Sequence, residues 1–439
     1  MAIGFLQRKA SWETLLKVSS GIFADQALEK VLKSYQFNSL DIAFITELSF
    51  GCIRYRKFLD RWIDHLSKIP HQKQPPKLRW LLHIGLYQLL KMDKIPVSAA
   101  ISTTVEVAKK TDLRGLTGTV NAILRNAVRK IEKENLPKIS SDAIERIAYL
   151  ESLPLWLVNE LINWFGIEDA ENIAKAFNKK PSIDLRINPI KTNLDIFLKV
   201  LYENNINAEP IKNLKNGITL ISNPRSIKNL PGYGDGFWTI QDRSSQWVAP
   251  LLNPKKGEKI LDACAAPGSK STHLAELTND NAEILAVDRS EKRLKIIQSN
   301  LDRLNLTSVK TLKADATSLL DLNPNFRSHF DKILIDAPCS GIGTLSRNPD
   351  ARWSLNKDKI KQLIILQERL LMSLLPLLKR DGLLVYSTCT ICPEENNLLI
   401  KRFIEKNDEI QLVSQKQILP KIDHPGDGFY AAVISHKSK

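Results

Sequence analysis

The sequence predicts an α/β fold at its C-terminal end, a mostly parallel sheet with helices on both faces, preceded by an all-α bundle and a small α+β module. Three observations predict it. Beyond Gly232 short apolar runs alternate with longer amphipathic stretches, the pattern of β-α repeats. The first 130 residues carry their apolar positions at helical spacing. Between the two, the order after Pro181 is βαββ. At 439 residues the chain is too long for one core, and the expected parts are 1–135, 140–235 and 236–439.

In the first part Leu78, Leu81, Leu82, Gly85, Leu86 and Leu89 recur at helical spacing, and Pro96, soon after Met92, marks the stop. Ala99–Ala108 and Gly118–Lys130 read as two further helices, the second bearing Arg125, Arg129 and Lys130. Lys130–Ser141 is a polar exit. Ala143–Phe177 reads as one more helical stretch with Trp156, Leu157, Leu161 and Trp164 on one face. Then come a strand over Ser182–Asn188, a helix over Leu194–Glu203, and short strands over Ile206–Ile211 and Gly217–Ile221. That order suits a module of the RNA-recognition type, though no exposed run of aromatics for base stacking is visible. In the last part the candidate strands are Lys259–Ala263, Glu283–Val287, Lys310–Lys313, Lys332–Ile335 and Leu383–Tyr386. The connecting helices include Glu291–Leu304 and Lys357–Leu378.

Hydrophobic residues make up 43% of the chain, which suits folded domains. No apolar run reaches the roughly 18 residues that span a bilayer, and Met1–Trp12 does not resemble a secretory signal. A soluble, cytoplasmic protein is the expectation. Its net charge is +15, and residues 1–130 hold 21 Lys/Arg against 10 Asp/Glu, so most of the excess lies there. Such a surface attracts polyphosphate backbones, although a merely well-solvated helical face has the same composition. The five cysteines, Cys52, Cys264, Cys339, Cys389 and Cys392, are odd in number and too dispersed for a disulfide framework. Cys389 and Cys392 form a C-x-x-C, but no second pair or histidine stands at zinc-site spacing, so no metal is expected.

The chemistry concentrates at predicted strand ends, the edge where parallel sheets bind ligands. Leu261–His273 reads as a buried strand, a tight loop containing Gly268, and a helix starting near Thr272, where backbone N–H groups can meet a ligand. Gly268 is the loop's one glycine, so no dinucleotide fingerprint is present. Asp288 closes the second strand, where a carboxylate can accept both ribose hydroxyls, and Asp315 follows the third, where it could accept an adenine amino group. Strand-end aspartates also serve as helix caps. Two in this order after a glycine-containing loop favour S-adenosylmethionine over NAD. The fourth strand runs into Asp336-Ala-Pro-Cys339 and the fifth into Tyr386-Ser-Thr-Cys389, bringing two thiols to one edge. A free cysteine is more often a small buried hydrophobe. Beside a methyl-donor loop, however, thiols suit cytosine, whose C5 is a poor nucleophile until something adds to C6. A thiolate is well fitted to that addition, and an acid near N3, for which Asp336 is placed, would stabilise the charge that results.

Taken in order, Cys264–Lys270, Asp336–Cys339, Thr388-Cys389, Arg347–Trp353 and Gly426–Phe429 resemble the motifs of the Fmu/Sun class of RNA m5C methyltransferases. Glu47–Arg54, Gly85–Leu90 and Asn121–Arg125 are similar to the NusB fold. The resemblance covers nearly the whole chain. It implies a Rossmann-like class I methyltransferase domain with a seven-stranded sheet, S-adenosylmethionine as cofactor, and one unpaired cytosine of 16S ribosomal RNA as substrate. The same resemblance implies a monomer acting before the subunit is fully assembled, with no membrane and no metal. Carried onto matching positions, it makes Cys389 the nucleophile and Cys339 the thiol that assists proton removal from C5. It lines the cofactor site with Cys264, Ala265, Ala266, Pro267, Gly268, Ser269, Lys270, Asp288, Asp315 and Asp336, and brings Asp336 and Lys270 to the base. Ser269 stands where the family has a second glycine, which requires that position to avoid positive φ. Cys392 is a third thiol near the nucleophile.

Two other readings compete with this one. The same chemistry could act on tRNA or another ribosomal position. A non-enzymatic RNA-binding or antitermination factor would explain the basic N-terminal part, but has no use for two thiols and three strand-end carboxylates.

Overall fold

The computed structural model describes residues 4–221, 227–423 and 425–437. They divide into two compact units, residues 4–178 with Asn348–Ser354, and Lys179–Arg347 with the remainder from Leu355.

The first unit is helical: α1 (Phe5–Ser19), α2 (Ala24–Leu32), α3 (Ser39–Arg54), α4 (Arg56–Leu66), α5 (Pro76–Lys91), α6 (Val97–Lys109), α7 (Thr117–Glu132), α8 (Ala143–Leu150) and α9 (Leu155–Ala176). Helix α5 is its axis. Leu78 and the whole run from Trp80 to Gln88 are buried, so this helix is covered on all sides rather than on one stripe. Gly85 permits that closeness, because a Cβ there would meet Leu124 of α7 at 2.6 Å. Inside, Asp60 accepts from His83 at 2.8 Å and pairs with Arg79; these bonds hold its carboxyl well below the usual range despite its burial. The single stretch expected over Ala143–Phe177 is two helices, broken at Glu151–Pro154 and kinked where Gly166 adopts φ 80°. Both belong to this first compact unit.

The second unit begins with β1 (Ile183–Ile187), α10 (Leu194–Glu203), β2 (Ala208–Pro210), β3 (Gly217–Leu220) and β4 (Trp238–Ile240). Their sheet order is β2-β3-β1-β4, antiparallel throughout, so the predicted βαββ gains a fourth strand. A three-residue strand with one exposed position and two glycine-flanked turns gave too little alternation to reveal it.

After α11 (Arg243–Gln246) the large sheet follows: β5 (Lys259–Asp262), α12 (Ser269–Leu277), β6 (Glu283–Asp288), α13 (Glu291–Leu304), β7 (Val309–Lys313), α14 (Leu319–Leu322) and β8 (Phe330–Asp336). Helix α15 (Ala351–Ser354) falls in the first unit, and the chain returns with α16 (Lys357–Leu374), β9 (Leu378–Thr388), α17 (Asn397–Glu405), β10 (Ile410–Ile418) and β11 (Phe429–His436). The order is β10-β11-β9-β8-β5-β6-β7; β11 runs antiparallel to both its neighbours, and the others are parallel. This is the expected mostly parallel, seven-stranded, Rossmann-like sheet.

Alternation along the central strands decides which helices cover which face. Leu261, Ile333, Ile335, Leu384 and Tyr386 pack with Leu370 and Leu374 of α16 and Leu399 of α17. Their neighbours Ile260, Leu334 and Val385 pack with Leu274 of α12 and Ile297 and Leu301 of α13. Each such leucine or isoleucine contributes about 1.5–3 kcal/mol by leaving water, so a slip of one residue in register would be heavily penalised. That fixed register is what sets the five parallel strand ends in line.

Among the described residues no helix is long and apolar enough to cross a membrane.

Candidate active site

A cleft of about 380 Å³ opens at the carboxyl ends of β5, β6, β7, β8 and β9. Cys264 and Ala266 of the first loop line it, with Asp288, Asp315, Asp336, Cys339 and Cys389. Ala265, Pro267, Gly268, Ser269 and Lys270 do not form its wall. Lys270 nevertheless reaches it, since its Nζ lies 2.6 Å from Asp336 Oδ2.

The loop after β5 is held from several directions. Ala265 N–H donates to Val287 O at 2.9 Å, and Gly268 N–H to Ala265 O at 2.7 Å. Gly268 adopts φ 100°, where a Cβ would also meet Ile297 at 3.1 Å; glycine is required on both counts. The helix therefore starts at Ser269, three residues before the expected Thr272, and Ser269 is not among the residues with positive φ. Serine is tolerated there for that reason. Behind the loop, buried Arg186 of β1 forks onto Glu276 of α12, 2.8 Å to each oxygen, and also donates to Ser269 O at 2.8 Å and to Gln241. A bidentate buried pair of this kind fixes orientation.

The strand-end aspartates also hold the backbone that follows them: Asp315 caps a short 3-10 turn, whereas the cap of α13 is Ser290 and Asp288 braces that residue from below. Asp288 Oδ1 accepts from Ser290 N–H at 2.8 Å, and Asp315 Oδ1 from Thr317 N–H at 2.9 Å. Their second oxygens face arginines that sequence reasoning missed, Arg293 at 3.2 Å from Asp288 and Arg289 at 3.8 Å from Asp315. No sequence signal marks those arginines beyond their place just after a strand-end carboxylate. On each aspartate the second oxygen is shared with its arginine, so a ligand there meets a carboxylate already partnered. Leu366 and Leu370 of α16 supply an apolar wall opposite the charged strand ends, and a cleft of this size with one apolar side and one polar side fits a nucleoside-sized ligand.

Asp336 is fixed on both oxygens, by Lys270 and by Ser387 Oγ at 2.9 Å. Under the loop, Asp262 is fully buried and accepts from Ser271 Oγ at 2.6 Å, and burial pushes its carboxyl up to about 7.

The two thiols stand together, Cys339 Sγ and Cys389 Sγ being 3.5 Å apart, both partly exposed to the cleft. Its bond to Cys389, followed by burial, pushes the Cys339 thiol well above the ordinary cysteine value. Cys264 is also raised, by burial and the nearby carboxylates. Cys392 lies apart from the pair; it is buried and its thiol donates to Glu394 at 3.1 Å.

The remaining motif residues are structural in placement. Arg347 Nε donates to Asp427 at 2.8 Å and its NH2 to Asp242 at 2.7 Å, tying the Gly426–Phe429 run to the chain after β4. The next residues of that motif, Asn348–Ser354, pack in the helical unit. There the fully buried Arg352 donates to carbonyls of Arg54, Ser152 and Phe177, and Trp353 Nε1 to Ile53 O at 2.7 Å.

Comparison with known proteins divides the chain into three stretches. Residues 249–439 match the family described as 16S rRNA methyltransferase RsmB/F, residues 6–129 the NusB family, and residues 153–227 a ferredoxin-like domain of RsmF/B-like methyltransferases. The probable ribosomal RNA small subunit methyltransferase B of Synechocystis is 40% identical over 88% of this chain and 86% of that protein. The ribosomal RNA small subunit methyltransferase B of Yersinia pseudotuberculosis is 36% identical over 96% and 97%. A solved methyltransferase homologue from Pyrococcus horikoshii superposes with a TM-score of 0.60 at 30% identity, over 68% of this chain and all of that one. With a thiol-bearing cleft on a methyltransferase sheet and relatives of this closeness along nearly its whole length, the chain belongs to the RsmB/F family of 16S rRNA methyltransferases and carries a NusB-family domain at its N-terminus.

Proposed function

We propose that the methyl group goes to C5 of a single cytosine in 16S ribosomal RNA, with S-adenosylmethionine as donor and a transient covalent bond between Cys389 and C6 of the base. The observation that carries this reading is the Cys339–Cys389 pair, 3.5 Å apart in the same cleft as Asp288, Asp315 and Asp336.

The residues present fit the donor. Asp288 and Asp315 can accept from ribose hydroxyls and an adenine amino group, Leu366 and Leu370 can cover a purine, and Cys264–Lys270 form the loop at the start of α12. When bound, S-adenosylmethionine supplies a sulfonium-activated methyl group.

The chain's own groups do the rest. Cys389, which lines the same cleft as Asp336, attacks C6 as thiolate after losing its proton to water. Asp336, held by Lys270 and Ser387, takes a proton from the Lys270 ammonium and donates it to N3 as charge builds on the ring, and the proton returns when the adduct resolves. Once C5 is methylated, Cys339 gives up its own proton to water in the cleft and, as thiolate, takes the C5 proton. The C5–H electron pair becomes the C5=C6 bond, and the C6–Sγ bond breaks with its pair returning to Cys389. The work is done in the cytoplasm by a monomer, on RNA that is not yet buried in the finished subunit.

The test is bisulfite sequencing of unmodified 16S rRNA treated with the pure protein and S-adenosylmethionine. One new protected cytosine is expected with the wild type and none with Cys389→Ala. A fully active Cys389→Ala protein would reject the assignment.

A further inference from the structure

The loops bearing the two thiols are joined beneath the cleft by a carboxylate that takes no part in the methyl transfer itself. Glu395 has no exposed surface. Its Oε1 accepts from Ser340 N–H at 2.8 Å and from Gln367 Nε2 at 3.0 Å, and its Oε2 from Ser340 Oγ. Ser340 follows Cys339, and its hydroxyl also meets Thr390 Oγ1, next to Cys389, at 2.7 Å. Gln367 lies on α16 and donates as well to Pro338 O at 2.9 Å, on the other side of Cys339. The Tyr386 hydroxyl donates to Glu395 O at 2.8 Å, which anchors the glutamate's backbone to β9. One side chain thus grips the Cys339 loop and helix α16 directly, and the Cys389 loop through Ser340.

A buried carboxylate is costly unless it is well bonded, and a neutral glutamine or an apolar core would join the same loops. The charge therefore has a consequence of its own. Burial raises the Glu395 carboxyl above its ordinary value while the bonds from Ser340 and Gln367 favour its charged form, and that charge opposes ionisation of Cys339. The titratable groups around Cys339 are Cys389, Glu395 and Tyr386, with Asp336 lining the same cleft.

We propose that Glu395 is a positioning residue that divides the labour between the two thiols. Its hydrogen bonds hold Cys339 against Cys389, and its charge makes Cys339 the stronger base for the C5 proton. The inference rests on the covalent mechanism proposed for Cys389.

The test follows resolution of the RNA–protein bond, using unmodified 16S rRNA and S-adenosylmethionine, with adduct read on denaturing gels and product by methyl incorporation. Glu395→Ala leaves Ser340 N–H and Gln367 without their acceptor, so Cys339 is displaced; adduct should persist, with resolution slowed about 10- to 100-fold. Glu395→Gln keeps an acceptor for Ser340 and Gln367 but removes the charge. It should restore resolution, with the rising limb of its pH profile moved about one unit toward acid. A purely structural role would not move that limb.

An unmoved limb in Glu395→Gln, or a folded Glu395→Ala that resolves adduct at the wild-type rate, overturns the inference. Should Glu395→Ala fail to fold, the pH limb of Glu395→Gln decides alone. Cys389→Ala and Cys339→Ala, run alongside, separate the two failures. A live Cys389→Ala removes the covalent mechanism itself, whereas a dead Cys389→Ala, an adduct-trapping Cys339→Ala and a wild-type-like Glu395→Ala remove only the role of Glu395.

Discussion

Asp262 ends β5 inside the protein, where burial raises its carboxyl to about 7 despite the Ser271 hydroxyl and the Lys270 charge. Its folded value lies above the unfolded one, so the folded chain keeps a proton that the unfolded chain releases from about pH 4 upward. The stability this contributes is complete below pH 4 and is lost as pH rises through 7. Asp262→Asn removes the dependence. Relative to wild type, its stability should improve by up to about 1.4 kcal/mol per pH unit across that window, as measured by thermal denaturation at pH 5 and pH 8; parallel curves would exclude it. For the thiols, Cys339→Ala should trap RNA on the protein, as a band resistant to denaturant, while Cys389→Ala traps none. Residues at this scale were legible from sequence where a strand end and a motif coincide, as at Asp288, Asp336, Cys339 and Cys389. Arg289, Arg293, Ser387 and Glu395 were not, because each acts through a partner distant in sequence or by its orientation, which no local pattern encodes.

Among the elements, α12 depends on how it begins. Gly268 supplies a left-handed turn and lies against Ile297 of α13. Gly268→Ala should cost about 1–3 kcal/mol in stability and raise the KM for the methyl donor more than it lowers kcat, because it displaces the loop and leaves the thiols alone. Steady-state kinetics check this. A second junction is the cluster in which Arg347 bridges Asp242 and Asp427. Arg347→Met would leave buried Asp427 and half-buried Asp242 without their shared cation, and a loss of about 2–4 kcal/mol is expected in urea denaturation. Central strands and long helices were readable because their apolar periods are strong; α13 and α10 fall on the expected residues. The α12 start was misplaced by three residues because the sequence Ser269-Lys270-Ser271 carries no apolar period to announce a helix. The fourth strand of the small sheet was missed for want of length.

For the molecule as a whole, charge and connectivity are what matter. The excess of positive residues lies in 1–130, and on α7 Arg125 and Arg129 are exposed. Replacing Arg125, Arg129 and Lys130 by alanine should weaken binding of 16S rRNA and flatten its salt dependence, by up to about 0.9 in the log–log slope for each phosphate no longer neutralised; an unchanged slope would remove this face from the RNA interface. The order of the parts was legible from composition and period. That residues 348–354 leave the methyltransferase half to complete the helical one was not, since nothing local distinguishes a returning segment from a loop. That excursion bears on synthesis at the ribosome. The helical half has been made by residue 178, yet the arginine that fills its interior arrives only at position 352. At about 5–20 residues per second this is a wait of roughly 9–35 seconds, during which the nascent N-terminal half is without the side chain of Arg352.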